Sequence, residues 1–189
     1  MLEEYGMLES KPTATPMETN FLNSGMEDST KLQHNSQYRK AIGSLLYIAN
    51  VSRPDIALAV GILSRCVESP TERDWKAIKR ILRYLSSTIN KKLRLSSDDE
   101  TKLECFVDAD WAGDKTDRKS TSGYVFLLGK RVVAWSSRKQ TIVAMSSTEA
   151  EYIAASHASK ELLWLRQLLK DMDIPMKEPT IINEDNQDT

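Results

Sequence analysis

The sequence predicts an α+β or α/β chain in which a small helical bundle precedes a mixed sheet with one crossover helix. Apolar residues recur every three or four positions as far as Leu85, which is the period of amphipathic helices. After residue 100 the spacing changes to alternation, which is typical of half-buried strands. With 189 residues, the chain is long enough for one ordinary domain or two small ones.

The helical half is preceded by a connector. Residues 1–37 are predicted to be extended, because they contain Lys-Pro-Thr-Ala-Thr-Pro and then a polar tract of Asn, Ser and Asp. Residues 38–63 contain two helical patterns separated at Ser52-Arg53-Pro54-Asp55, where the proline disfavours helical backbone in the preceding residue. A third helix is predicted for residues 71–85, behind Ser69-Pro70. We therefore expect residues 38–95 to form one small helical bundle.

A cluster of positive charge lies between residues 73 and 94, although the formal charge of the whole chain is −1. Eight basic residues in this stretch stand against one acid, Asp74. Apolar residues recur among them at helical spacing, so the cations flank an amphipathic helix. Such a helix could lie along a phosphate backbone, with Lys76, Lys79, Arg80 and Arg83 as nucleic-acid contacts. A solvated surface helix has the same composition, and this alternative stays open.

Three strands, a helix and a fourth strand are predicted after residue 100. Residues 102–108 alternate between an apolar face with Leu103, Cys105 and Val107 and a second face that ends with Asp108. Residues 123–128 and 131–136 are joined through Gly129-Lys130, which predicts a tight hairpin. A helix over residues 147–171 is a crossover, so the last strand, 180–185, should pair in parallel.

Several classes of protein are excluded by composition and local pattern. No apolar run approaches the roughly 20 residues that span a bilayer, so we expect no membrane association. The start, Met-Leu-Glu-Glu-Tyr-Gly, lacks the regions of a secretory signal peptide, which favours a cytoplasmic or nuclear location. Cys66 and Cys105 have neither metal-binding nor disulfide spacing. Asp98-Asp99 lies in a polar loop without flanking strand patterns, so we expect no polymerase activity.

Two acids compete for a site-facing position on the long helix. At about 100° per residue, one stripe should face the sheet. It consists of Glu151, Ala154, Ala155, Ala158, Leu162, Leu165 and Leu169. Glu149 falls on the opposite side, three residues after Ser146, which is the spacing of a capping box. We therefore expect Glu149 to cap the helix and Glu151 to face the sheet, while a box formed by Thr148 and Glu151 is a second possible register.

A series of short phrases is spread in collinear order over most of the chain. One group consists of Val-Asp-Ala-Asp-Trp-Ala-Gly-Asp, Arg-Lys-Ser-Thr-Ser-Gly-Tyr-Val-Phe, Val-Ala-Met-Ser-Ser-Thr-Glu-Ala-Glu-Tyr, Trp-Leu-Arg-Gln-Leu-Leu and Asp-Asn-Gln. This group resembles the ribonuclease H domain of copia-type retrotransposon Pol polyproteins. Upstream, Tyr-Arg-Lys-Ala-Ile-Gly-Ser-Leu-Leu-Tyr-Ile, Ser-Arg-Pro-Asp-Ile and Trp-Lys-Ala-Ile-Lys-Arg-Ile-Leu-Arg-Tyr-Leu resemble the end of the reverse transcriptase. The resemblance implies that residues 38–95 end a reverse transcriptase and that residues 101–189 form a ribonuclease H-like domain.

The resemblance also implies a chemistry, which is hydrolysis of the RNA strand of an RNA–DNA hybrid. Carboxylates of the family hold two Mg²⁺ ions about 3.5–4 Å apart, and hard oxygen ligands suit Mg²⁺. The family's ligands correspond to Asp108, Glu151 and Asp185, which are therefore the expected catalytic and metal-binding residues. Asp110 and Glu149 are the second choices, and a turn aspartate that follows a strand would account for Asp110 without chemistry.

Other candidates carry less specific signals. Arg118 and Lys119 precede the second strand, and Arg138 and Lys139 follow the third, so these cations could contact hybrid phosphates and 2′-hydroxyls. A solvated loop explains them as well. Three tryptophans could stack on bases, but core positions are the expected ones for Trp111, Trp135 and Trp164. We expect His157 to be a partly buried surface residue without a ligand role.

The family pattern continues past Asp185 with further elements and a fourth acidic ligand, whereas this sequence leaves the pattern after Gln187. We therefore expect the ribonuclease H-like sheet to be truncated at its C-terminus, with an incomplete active site and weak or no activity in the isolated chain. The expected partners are an RNA–DNA hybrid or other nucleic acid and the remainder of the Pol polyprotein. The alternative is a non-catalytic, co-opted or degenerate remnant that binds nucleic acid or a protein partner.

Overall fold

The computed structural model describes residues 1–23, 30–94 and 102–186. The chain divides into two compact units, Met1–Leu93 and Arg94–Thr189. Helices together with a mixed four-stranded sheet confirm the α+β class. No helix in the described part is long and apolar enough to cross a membrane. The predictions on Asp98-Asp99 and Gln187 concern positions outside the described residues.

Three α-helices form the first unit: α1 at Ser36–Val51, α2 at Ala57–Ser64 and α3 at Glu72–Ser87. A short 3₁₀ turn at Pro54–Ile56 separates α1 from α2, where the proline predicts a break. A capping box begins α3, because Asp74 N donates to Thr71 Oγ1 at 3.3 Å and Thr71 N donates to Asp74 Oδ2 at 2.8 Å. The apolar faces of all three helices meet in one core.

Residues 1–23, which belong to the predicted connector, pack on this helical core. The side chains that do so are Met1, Leu2, Tyr5, Met7, Met17 and Phe21. Tyr5 lies edge-on to Trp75 of α3, with ring centroids 6.1 Å apart. These apolar residues are irregularly spaced, so periodicity alone does not indicate their packing.

The second unit is a sheet with one long helix. Its elements are β1 at Leu103–Asp110, β2 at Thr121–Leu128, β3 at Arg131–Lys139, α4 at Ser147–Asp171 and β4 at Ile181–Asn183. The strand order is β3-β2-β1-β4, and β4 pairs with β1 in parallel, as predicted. Gly129 and Lys130 have φ of 56° and 63°, the backbone of the tight hairpin turn that the sequence predicts.

The helix α4 packs on β1 through the stripe that its phase predicts. Ala154, Ala158, Leu165 and Leu169 are buried with Glu151, and Ala155 and Leu162 are half-buried. On β1, the buried residues are Leu103, Cys105, Val107 and Ala109. Alternation thus places the side chains of Asp108 and Asp110 on the other, exposed side of the strand.

The core assignment is wrong for two of the tryptophans. Trp111 is 47% exposed and Trp164 is 56% exposed, whereas Trp135 is half-buried. Trp111 follows β1 in a turn, and its indole Nε1 donates to Ala144 O at 3.2 Å instead of packing in the core. Trp164 is on the side of α4 that faces away from the sheet. His157 is exposed on the same helix, not partly buried.

Candidate metal centre

In the second unit, three carboxylates from separate elements converge near the carboxyl ends of the parallel strands β1 and β4. They belong to Asp108 in β1, Glu151 in the first turn and a half of α4, and Asp185 just after β4. One carboxylate oxygen from each lies within 4.8 Å of the other two. Asp108 and Asp185 are exposed and Glu151 is buried. The group could bind a metal ion, since clustered carboxylate oxygens are the ligands that hard cations prefer.

The parallel pairing of β1 with β4 brings the two aspartates together. Phe106 is the last residue of β1 in register with β4, and it pairs with Asn183. Asp108 and Asp185 each follow two positions later, and parallel strands present equivalent positions at the same edge. Asn183 Nδ2 also donates to Cys105 O at 3.0 Å, which ties the end of β4 to β1. Asp185 therefore lies beyond the strand, not inside it as the predicted range of 180–185 implied.

The two oxygens of Glu151 have different surroundings. Oε1 accepts a hydrogen bond from the backbone N–H of Ala109 at 3.2 Å, which joins α4 to β1. Oε2 is buried and has no hydrogen-bond partner among the described residues. A buried carboxylate oxygen without a donor is costly. One oxygen is thus used by the fold, and the other remains available for a ligand.

The electrostatics of the cluster favour a cation. Burial raises the pKa of Glu151, and the charges of Asp108, Glu184 and Asp185 raise it further, while the Ala109 N–H lowers it. The charges that act on this carboxylate are all negative. Loss of water and the charge of Asp108 likewise raise the pKa of Asp110. A bound cation would relieve this repulsion, so the residues present fit a divalent metal ion.

The second-choice acids occupy other positions. Glu149 Oε2 accepts from Met145 N at 2.6 Å, and Glu149 N donates to Ser146 Oγ at 3.1 Å. Glu149 therefore caps α4, although it reaches the N–H before Ser146 instead of the N–H of Ser146 itself. The carboxylate of Asp110 lies against Gly113, so close that a Cβ added to this glycine would collide with it.

A second acidic cluster in the same unit contains its own cation. Lys139 Nζ lies 2.5 Å from Asp114 Oδ2 and 2.8 Å from Asp117 Oδ1. Burial acts against the charge of Asp114, but Lys139 and the Thr116 N–H outweigh it and lower the pKa of Asp114. Lys139, a predicted nucleic-acid contact, is thus engaged in joining β3 to the loop before β2.

The other predicted cations of this unit are more accessible. Arg118 and Arg138 are exposed, and Lys119 is half-buried. Arg118 has a φ of 58°, a backbone conformation that side-chain-bearing residues seldom adopt, and its N–H donates to Asp114 O at 2.8 Å. Their positions fit contact with a polyanion as well as simple solvation.

In the first unit, the predicted nucleic-acid contacts of α3 differ in their surroundings. Lys76 is exposed, and Lys79 Nζ lies 5.7 Å from the centroid of the Trp75 ring. Arg80 NH1 is 3.1 Å from Glu18 Oε1. Arg83 is half-buried. Glu18 and the Ala109 N–H are polar partners that the sequence did not reveal, since each lies far along the chain from the residue it contacts.

Known proteins similar to this chain include long polyproteins and one short protein. The chain is 43% identical over 189 residues to the Retrovirus-related Pol polyprotein from transposon RE2 of Arabidopsis thaliana, covering 98% of this chain and 13% of that protein. It is 39% identical over 183 residues to the Retrovirus-related Pol polyprotein from transposon TNT 1-94 of Nicotiana tabacum, covering 94% and 14%. It is 48% identical over 131 residues to the Secreted RxLR effector protein 161 of Plasmopara viticola, covering 69% and 92%.

The chain therefore spans a small part of the length of the Pol polyproteins that it matches. No family model matches the chain. No solved structure matches it either.

Proposed function

The chain belongs to the family of copia-type retrotransposon Pol polyproteins, and from this premise we propose that its second unit is a metal-dependent ribonuclease H module. The substrate would be an RNA–DNA hybrid, and the metal would be Mg²⁺. Asp108, Glu151 and Asp185 would be the ligands. The first unit would correspond to the end of the reverse transcriptase, followed by a ribonuclease H-like arrangement of the mixed sheet and crossover helix.

One observation carries this proposal. Carboxylates from β1, α4 and the end of β4 meet within 4.8 Å, and the buried oxygen Oε2 of Glu151 has no donor in the described part of the chain. A fold gains nothing from placing three like charges together without a cation, because their mutual repulsion destabilises it. Such an arrangement is typical of a site whose charge is balanced by a ligand.

The residues of the site would each have a defined task. Asp108 and Asp185 are exposed at the sheet edge, so they can reach a ligand that is also in contact with a phosphodiester. The Ala109 N–H holds Oε1 of Glu151 and leaves the buried Oε2 without a donor among the described residues. When bound, Mg²⁺ would activate the attacking water and stabilise the leaving oxygen.

The hybrid would be held by cations outside the metal centre. In the second unit, Arg118, Lys119 and Arg138 are candidates for contacts to phosphate. The first unit has its own candidates, Lys76 and Lys79. Contacts of this kind release counterions, so hybrid binding should weaken steeply as salt rises. Distinction of RNA from DNA would require contact with the 2′-hydroxyl.

A cleavage assay tests the proposal. The full chain is incubated with an end-labelled RNA–DNA hybrid in Mg²⁺, in Mn²⁺ and in EDTA, with Asp108→Asn, Glu151→Gln and Glu149→Gln as variants. We expect cleavage of the RNA strand that is weak, as the incomplete ligand set implies, but metal-dependent. It should fall by at least about 100-fold in the first two variants, since even ligand-supporting residues contribute 10- to 100-fold at metal sites. Glu149→Gln is the matched control on the same helix and should retain activity.

Two outcomes would contradict the proposal. Undiminished cleavage by Glu151→Gln would show that the activity does not use this cluster. Absence of cleavage by the wild-type chain in both metals, combined with salt-sensitive binding of the hybrid, would instead support a non-catalytic nucleic-acid-binding role.

A further inference from the structure

The segment before α1 runs along α3 in the opposite direction. Near the end of α3, Ser86 Oγ donates to Leu8 O at 2.8 Å. Earlier in α3, Arg80 O accepts a hydrogen bond from Thr13 Oγ1 at 3.3 Å. At the start of α3, the guanidinium of Arg73 lies 4.0 Å from the centroid of the Phe21 ring. Residues 8–21, which we call the N-terminal strap, therefore cover one flank of this helix.

That flank is the cationic one, and a cavity of about 310 Å³ lies between it and the strap. Four basic residues of α3 line the cavity, namely Arg73, Lys76, Arg80 and Arg83. The strap contributes one acid to the lining, Glu18. At neutral pH the charged groups around the cavity therefore carry a net charge of +3, from four cations and one carboxylate.

Two of the arginines have buried N–H donors without an acceptor in the described part of the chain. The Nε atoms of Arg80 and Arg83 are buried and have no hydrogen-bond partner among the described residues. A buried charged donor that lacks an acceptor is costly, and such groups in native proteins are usually paired. A group with several oxygen atoms and negative charge would satisfy donors from both side chains at once.

Glu18 is an acidic residue of the strap that already pairs with one of these arginines. Its Oε1 lies 3.1 Å from NH1 of Arg80, and Thr15 Oγ1 lies 3.1 Å from NH2 of the same guanidinium. The Glu18 side chain is 67% exposed, so this ion pair is open to water and easily exchanged. The carboxylate thus occupies the outer end of the cavity and leaves both Nε donors unused.

We propose that the cavity under the N-terminal strap binds a phosphate group and that Glu18 is an internal competitor for it. A phosphate supplies more acceptor oxygens than one carboxylate, and arginine forks match its geometry. The phosphate could come from the backbone of a nucleic-acid strand or from a free phosphate compound. The site requires none of the carboxylates of the candidate metal centre, so its binding can be measured whether or not the chain cleaves a hybrid.

The test measures binding by the full chain in EDTA and low salt, so that hydrolysis does not interfere. Three probes are used. The first is a labelled single-stranded oligonucleotide, and the second is the same sequence with an uncharged methylphosphonate backbone. The third is inorganic pyrophosphate, whose binding is measured by calorimetry. Arg83→Gln is expected to weaken phosphate binding by about tenfold, the usual effect of losing a charge-assisted contact. Glu18→Gln is expected to tighten it by about twofold to fivefold, because exposed ion pairs are weak competitors.

Matched controls separate this site from the overall charge of the chain. Glu9→Gln removes an exposed acid from the same strap, and Arg39→Gln removes an exposed cation from α1. Neither should change binding by as much as the cavity variants. The gain expected for Glu18→Gln also guards against unfolding, since a misfolded variant would not bind more tightly.

The pattern across probes identifies the source of the phosphate. Responses to both variants with the oligonucleotide, but not with its methylphosphonate form, support a nucleic-acid backbone. Responses confined to pyrophosphate support a free phosphate compound. The proposal is overturned if the cavity variants change the binding of neither the charged oligonucleotide nor pyrophosphate, or if the control variants change binding equally.

Discussion

Two acidic clusters in the second unit are built from the same residue types and differ in how their charge is balanced. Asp114 and Asp117 share Lys139, which lies within 2.8 Å of each. In the other cluster, the charges acting on the buried Glu151 come from Asp108, Glu184 and Asp185 and are all negative. In the first cluster, Lys139 balances the negative charge within the fold itself. In the second, the negative charges have no such cation acting on Glu151 within the described residues.

The difference separates structural acids from ligand-binding acids. The lysine lowers the pKa of Asp114 and Asp117, so their ionised forms stabilise the folded loop. In the other cluster the pKa of Glu151 is raised, so its ionised form costs the fold free energy. Acids that destabilise a fold unless a cation is present are the better candidates for function.

The largest expected effect is metal-dependent stabilisation. Mg²⁺ at about 100 times its Kd should raise the free energy of unfolding by about 2.7 kcal/mol, because it binds only the folded cluster. Urea unfolding in MgCl₂ is compared with unfolding in EDTA at matched ionic strength. Asp108→Asn should lose most of this gain and Glu149→Gln should keep it. Equal stability of the wild-type chain in both buffers would remove the basis for a metal site.

Removal of the cation from the balanced cluster should have the next largest effect. Lys139→Met leaves Asp114 and Asp117 close together without their cation. It should lower the free energy of unfolding by about 1–2 kcal/mol, a value between the typical losses for exposed and for buried ion pairs. Lys115→Met, in the same loop but exposed, is the control. Adding Asp114→Asn to Lys139→Met should restore part of the loss. An unchanged urea midpoint for Lys139→Met would show that this cluster contributes nothing.

The pH dependence of this loss has a defined sign. The pKa values of Asp114 and Asp117 are lowered in the folded chain, so their contribution is present above their ordinary pKa values near 4. It disappears as the pH falls through the lowered values. The difference between wild type and Lys139→Met should therefore shrink in acid, as measured by urea unfolding at a series of pH values.

A smaller effect of opposite sign is expected at Glu151. In EDTA at neutral pH, Glu151→Gln should raise the free energy of unfolding slightly, because it removes a carboxylate whose pKa is raised in the folded chain and whose ionised form therefore opposes folding. Wild-type stability falls as the pH rises from the ordinary value of 4.5 through the raised value, so the advantage of the variant vanishes below that range. Glu149→Gln should show no such gain. A destabilised Glu151→Gln in EDTA would mean that the negative charge of Glu151 stabilises the fold, beyond the hydrogen bond that its Oε1 accepts from Ala109.

The smallest effect is expected at Asp110. Its carboxylate lies against Gly113 and is not one of the three that converge. Asp110→Asn should change the Kd for Mn²⁺ by less than about threefold, whereas Asp108→Asn should change it by at least about tenfold, a difference of about 1.4 kcal/mol. Calorimetric titration of both variants measures this. Equal losses would make Asp110 a fourth ligand.

Periodicity and the crossover rule predicted the elements that position the candidate metal centre. The alternation of β1, the crossover over residues 147–171 and the parallel last strand all agree with the structure, and the helix phase separated Glu151 from Glu149. These features repeat locally, so the sequence reveals them. The choice of Asp185 came from the family resemblance, because nothing in its local pattern distinguishes it from Glu184.

Contacts between distant residues could not be predicted in the same way. Glu18 meets Arg80 across 62 positions, and the Ala109 N–H meets Glu151 across 42. Neither pair produces a local pattern. The strands β1 and β3 also extend past their predicted ends, to Asp110 and Lys139, because pairing with β2 holds even polar residues in extended backbone. The partners of Lys139 show that a basic residue near a site can be structural.

The hydrogen bond from Ala109 to Glu151 also has a kinetic consequence. It forms only after α4 has docked on β1, and Asp185 arrives only when β4 has paired. The carboxylate cluster is complete only when both contacts exist, so we expect it to assemble late and a bound metal to stabilise the native state more than the folding transition state. Such an interaction slows unfolding and leaves the refolding rate almost unchanged.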